Sequence, residues 1–178
     1  MTVAGERGSD DRGGAGQGSP TTDPSPPERA HDRLVLDVML GKLATYLRMC
    51  GYDAVYALDR DLEADDRILA LARAEGRTLL TRDRGLAART DDSVLLTERD
   101  VVDQLRELRA AGFRLELDDS PTFCGTCNGL VAAVAADGGT PGYAPDPAET
   151  DVWRCTDCGQ CFWKGSHWDD VAETLADL

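Results

Sequence analysis

The chain has 178 residues, enough for one domain of ordinary size or a smaller core with a satellite module. Its 33 acidic and 19 basic residues leave a formal net charge of −14, and only Lys42 and Lys164 are lysines. Such acidity speaks against a broad phosphate-binding surface, although adaptation to high salt would give any protein the same character. No apolar run reaches the roughly 18 residues of a membrane span, and no apolar signal-peptide core opens the chain, so a cytoplasmic location is expected.

Residues 1–31 are rich in Gly, Ser, Pro and Asp and nearly lack large apolar side chains. They cannot bury enough surface to offset their ordering entropy, which predicts a disordered tail. Leu34-Val35-Leu36 then reads as a buried strand that runs straight into Asp37. Leu40, Leu43, Ala44 and Leu47 recur at helical spacing, with Gly51 as the stop. Ala54-Val55-Tyr56 predicts a second strand. Asp65 opens a second helix through Ile68, Leu69 and Ala72, ended by Gly76. The third strand, Thr78 to Thr81, runs into Arg82 and Asp83 and a short helix around Leu86. Val94-Leu95-Leu96 is the fourth strand, and Val101, Val102, Leu105 and Leu108 mark a fourth helix.

Alternating strands and helices imply right-handed βαβ units and a parallel sheet covered on both faces. The predicted fold is therefore α/β over residues 32–117. Leu115 to Ser120 reads as a connector to a small second module over residues 121–170, and residues 171–178 as a C-terminal tail.

The acids fall in a pattern. Asp37 and Asp83 follow strands, Asp65 and Asp66 open a helix, and Glu98 and Asp100 come just after the fourth strand. All of these positions belong to the C-terminal edge of a parallel sheet, where such sheets bind ligands. Carboxylates gathered there would repel one another unless cations intervened, and hard oxygen ligands suit Mg2+ or Mn2+. Two such ions could activate water for phosphodiester hydrolysis. Asp65 or Asp66 could instead be a helix N-cap, and Asp83 could cap the helix after it. Asp37 has the least structural purpose where it stands. Lys42, Arg48, Arg82 and Arg84 could hold a substrate phosphate, or be solvated partners of nearby acids.

Cys124-Gly125-Thr126-Cys127 and Cys155-Thr156-Asp157-Cys158 are two knuckles whose thiolates could complete a tetrahedron around Zn2+. The 27 residues between them contain Asp137-Gly138-Gly139 and Pro141-Gly142, which predicts a long loop between strands. With four thiolates and no open position, such a zinc is structural. Cys161 reads as a small packed residue and Cys50 as a buried apolar one. Ser166, His167 and Trp168 could stack on bases and hydrogen-bond to RNA. Alternatively, Trp163 and Trp168 pack the ribbon on the sheet, with His167 capping that contact.

Four stretches together resemble the Mut-seven C-terminal RNase family over roughly Arg33 to Asp170. They are Asp37-Val38-Met39-Leu40-Gly41-Lys42-Leu43-Ala44, Leu79-Leu80-Thr81-Arg82-Asp83-Arg84-Gly85-Leu86, the two cysteine knuckles, and Gly165-Ser166-His167-Trp168. The resemblance implies a PIN-like ribonuclease domain with a zinc ribbon. It also implies an acidic site of Asp37, Asp65 and Asp83, extended by Asp66 or Asp100, that binds Mg2+ or Mn2+ and acts on RNA. A haloacid-dehalogenase phosphotransferase would need an aspartate where Met39 stands, and a receiver domain an acid at Leu36. The serious rival is a non-catalytic RNA- or ribosome-associated zinc-ribbon module; an antitoxin-like partner also stays open.

Overall fold

The computed structural model describes residues 33–178, so the tail predicted over residues 1–31 lies outside the described residues. Four short strands, β1 (Arg33–Leu36), β2 (Asp53–Tyr56), β3 (Thr78–Thr81) and β4 (Ser93–Leu95), form one sheet in the order β2-β1-β3-β4. Every pairing in it is parallel. Between and after the strands come α1 (Gly41–Met49), α2 (Asp65–Glu75), the one-turn α3 (Arg84–Ala87) and α4 (Val101–Ala110). The α/β class with a parallel sheet, predicted from the alternation, is the fold that forms.

Strand side chains alternate between two cores. Leu34, Leu36 and Leu80 face a cluster completed by Leu43 and Leu47 of α1 and Leu105 and Leu108 of α4. Val35 and Leu79 face the other side, against Ile68, Leu69 and Ala72 of α2 and Leu86 of α3. Strands covered on both faces read as continuous apolar runs, which is why β1 and β3 are legible in sequence. Full burial of each such Leu or Ile contributes about 1.5–3 kcal/mol. Gly51 and Gly76, both at positive φ, end α1 and α2 as predicted.

The second sheet is antiparallel, in the order β5 (Val131–Ala133), β6 (Val152–Cys155), β7 (Cys161–Trp163), and the long β5–β6 loop carries the predicted Gly- and Pro-rich turns. Residues 171–178, predicted as a tail, are corrected here. A helix, α5, runs from Ser166 to Ala176 and buries Val171 and Leu175 against the cluster that holds α1 and α4. Arg109 of α4 fastens its end, donating to the carbonyls of Leu175 at 2.8 Å and Leu178 at 3.2 Å. Two apolar residues at i, i+4 are too faint a stripe to announce a helix, and only the cleft left beside α4 makes them count.

The first knuckle is clamped to the sheet. Asn128, at φ 66°, accepts the Ala54 amide of edge strand β2 at 2.9 Å and donates to Asp53 at 2.7 Å. This covers an edge that would otherwise offer unpaired amides. Burial opposes ionisation of Asp53, yet its bonds from Arg77, Asn128 and Arg33 hold its carboxyl below the ordinary value. A depressed carboxyl contributes stability that is complete above the unfolded value of about 3.9 and is lost as pH falls through the folded one. Arg77 is buried beside it. Asp53→Asn should therefore cost about 1–2 kcal/mol at pH 7. The difference from wild type should shrink in acid, as followed by urea midpoints against pH; a constant difference down to the lowest pH would refute this.

Candidate functional site

The C-terminal edge of the sheet is organised around Asp37. It follows β1, is 4% exposed, and its amide donates to the Leu80 carbonyl, so the chain stays in the β1–β3 ladder one residue beyond the strand. Its Oδ1 accepts from the Val38 amide at 2.6 Å and its Oδ2 from the Thr81 hydroxyl at 2.8 Å. The Thr81 hydroxyl in turn accepts from the Asp83 amide at 2.9 Å. One threonine thus ties the aspartate after β1 to the backbone of the aspartate after β3. Thr81 was not singled out from sequence. Its signal is the register: Leu36 pairs with Leu80, which sets residues 37 and 81 side by side.

The remaining acids are used locally. Asp83 caps α3, its Oδ1 accepting from the amides of Gly85 at 2.6 Å and Leu86 at 3.0 Å. Asp100 caps α4 through the Val102 amide. Asp65 and Asp66 lie in the first turn of α2, but Ala64 is its N-cap and no side chain caps it. Both face Arg89, which pairs with Asp66 and approaches Asp65 to 3.9 Å. Glu98 is exposed, and its carbonyl accepts from Gln104. Among the described residues, four cysteines are the one set of three or more metal-ligating side chains whose donor atoms converge; the carboxylates are not drawn together in that way.

Of the basic residues, Arg48 is the most fully engaged. Of its two readings, a substrate phosphate contact or a partner of nearby acids, the second fits its place: the side chain is 3% exposed and paired with Asp59. Its Nε donates to the Ala54 carbonyl, its Nη1 to the carbonyls of Gly125 and Thr126, and its Nη2 to Asp59. It braces the first knuckle against α1 and β2, a role visible only once the two modules are in contact. Lys42 and Arg84 are exposed. Lys42 shares a small hollow of about 330 Å3 with Asp100 and Arg99. Arg82 stands between Thr81 and Asp83, and its Nε is buried without a hydrogen-bond partner among the described residues.

In the ribbon, Cys124, Cys127, Cys155 and Cys158 bring their sulfurs within 4.8 Å of one another. The Cys124–Cys158 and Cys127–Cys155 separations are 3.7 and 3.5 Å. A tetrahedral Zn2+ with Zn–S of about 2.3 Å requires sulfurs about 3.8 Å apart, so the set fits that ion. Burial and the neighbouring thiols push Cys127 up to about 12. Burial also acts on Cys155, but the amides of Cys158 and Asp157, each 3.4 Å from its sulfur, help bring it down to about 7. Amides aimed at sulfur favour a thiolate. Cys161 and Cys50 are buried outside this set, as predicted.

Ser166, His167 and Trp168 line a groove of about 700 Å3 between the ribbon and α1. Its far wall is Tyr56, whose hydroxyl donates to the Val38 carbonyl at 2.7 Å, next to Asp37. Burial first, then the carboxylates of Asp59 and Asp37, push the Tyr56 phenol up, so it stays a donor. Trp163 and Trp168 both line this groove.

These features define an α/β protein with a buried aspartate at the sheet edge and a cysteine ribbon able to hold a metal such as zinc. The chain belongs to the Mut7-C RNAse domain family, whose model matches residues 32–175. Membership of an RNase domain family points to nuclease-type chemistry and RNA as substrate. No curated protein and no solved structure matches the chain. No helix among the described residues is long and apolar enough to cross a membrane.

Proposed function

We propose that the protein is a divalent-metal-dependent ribonuclease that hydrolyses RNA phosphodiester bonds at the C-terminal edge of its parallel sheet, in the cytoplasm. Asp37 carries the reading. A carboxylate buried at a sheet edge, beside a threonine and within electrostatic reach of Tyr56, has no ion pair among the described residues to justify its burial. Burying an unpaired charge is costly, and a hard cation would offset that cost. Asp37 would hold Mg2+ or Mn2+, with Asp65 and Asp83 from the neighbouring elements and Asp66 or Asp100 further out. The ion would polarise the phosphate and activate water. The unmatched donor of Arg82 favours an anion near the same edge. The cysteine set would hold a structural Zn2+ and keep the ribbon beside the substrate path. The division of the chain into a catalytic unit over residues 32–117 and a ribbon from residue 121 is part of this reading.

The non-catalytic reading draws on one observation: Asp83, Asp65 and Asp66 each already have a local partner. Asp83→Asn separates the two readings. Asparagine is as good an N-cap as aspartate, so the thermal midpoint should barely move. Mn2+-dependent cleavage of labelled single-stranded RNA should nevertheless fall about a hundredfold, since several kcal/mol of charge stabilisation rest on such ligands. Unchanged cleavage would leave Asp83 a cap and nothing more.

A further inference from the structure

We infer that the groove between the ribbon and α1 takes an unpaired nucleobase of single-stranded RNA, stacked on the indole of Trp168. The inference rests on the ribonuclease reading for its ligand class and adds where, and by which chemistry, the strand is gripped. The groove's volume of about 700 Å3 falls within the roughly 300–1,000 Å3 of ordinary ligand sites. Its walls carry Tyr56, Phe123, Phe162, Trp163, His167 and Trp168, an aromatic density that a polar surface loop has no reason to keep.

Two glycines keep the walls open. A Cβ on Gly165 would lie 2.8 Å from the Trp163 indole nitrogen, and one on Gly41 would lie 3.0 Å from the Tyr56 ring. Lys164 covers one side of Trp168 at 5.5 Å from the ring centre, a cation–π contact that holds the indole in place.

Charge selects the occupant. The groove's buried guanidinium, Arg48, is already matched by Asp59 at 2.8 Å, and Lys164 beside the groove is engaged by the Trp168 ring, so few cations are left for phosphates. The whole chain is at −14. A polyanion is poorly held here through its phosphates alone, and a duplex keeps its base faces stacked inside. A single strand offers flat, uncharged base faces, whose stacking on aromatic rings tolerates any sequence. Tyr56, on the groove's wall, donates its hydroxyl to the Val38 carbonyl, one residue from Asp37. A base seated against Tyr56 would therefore lie beside the segment that leads out of β1 into Asp37.

The test is binding of a short fluorescein-labelled single-stranded RNA to the full chain without Mg2+ or Mn2+, read by anisotropy. The matching blunt duplex serves as competitor, and cleavage with Mn2+ is followed in parallel. The expected result is that Trp168→Ala weakens binding roughly 10- to 100-fold, Trp168→Phe recovers part of it, and the exposed His167→Ala weakens it a few-fold. The duplex should compete poorly. Affinity should drop less than about tenfold between about 50 and 200 mM salt, where a phosphate-tracking protein loses about a thousandfold or more. Binding without cleavage would remove the ribonuclease reading and keep the groove. Equal competition by the duplex, a steep salt slope, or unaltered affinity in both Trp168→Ala and His167→Ala would overturn the groove proposal, whatever the cleavage assay shows.

Discussion

Replacing Cys127 with serine, or stripping the metal with a chelator, is expected to unfold the ribbon and to lower the stability of the whole chain by at least about 3 kcal/mol. The ribbon cannot hold itself together by apolar burial. Between the connector and α5, its buried side chains are Val152 and the cysteines Cys124, Cys155 and Cys161. Three strands of three or four residues with so small a core depend on a metal. The damage should not stop there, because the first knuckle supplies the carbonyls of Gly125 and Thr126 that satisfy Arg48. It also supplies Asn128, which covers the Ala54 amide. Losing that knuckle leaves a guanidinium beside α1 with two donors unmatched, at about 1–3 kcal/mol for each such buried group. The measurement is thermal unfolding of wild type and Cys127→Ser with and without added Zn2+, together with Co2+ substitution to read thiolate coordination by absorption. A wild-type midpoint indifferent to chelation would refute a structural metal.

Asp37→Asn should reduce Mn2+-dependent RNA cleavage by at least about a thousandfold while leaving the fold intact. The asparagine Oδ1 can still accept from the Val38 amide, and its amide group can donate to the Thr81 hydroxyl, which has acceptor capacity to spare. The bond between the two side chains is kept with its direction reversed, and the buried Thr81 hydroxyl proton gives up its acceptor, so the stability change should stay below about 3 kcal/mol. What is lost is the negative charge. The variant should also lose a Mn2+-binding event visible by calorimetry in wild type. Cleavage that survives the substitution would move the chemistry away from this edge.

How much of this was readable beforehand varied by residue. β1, β3 and α2 were legible because burial on both sheet faces leaves apolar runs, and because Gly76 marks a helix end. The cysteine set was legible because two sulfurs three residues apart on a tight turn have few other uses. For Arg48 two readings stayed open, because an arginine on a helix looks the same in sequence whether it meets a phosphate, a nearby acid such as Asp59 or a neighbouring module's carbonyls. The end of the chain was misread, since Val171 and Leu175 form a helix face only against α4. Thr81 and Tyr56 carry no motif, and parallel register alone brings them beside Asp37.

From its residues alone, then, this chain declares an alternating α/β pattern, acids at strand ends, and four thiols set for one ion. These are local properties, decided by side-chain period and by spacing within a turn. Tertiary structure decided which acids have partners already, that the ribbon is bolted to an edge strand, and that an aromatic groove opens between them. Those outcomes depend on contacts between residues some 40 to 80 positions apart, and no period or spacing along the chain encodes which distant surfaces will meet.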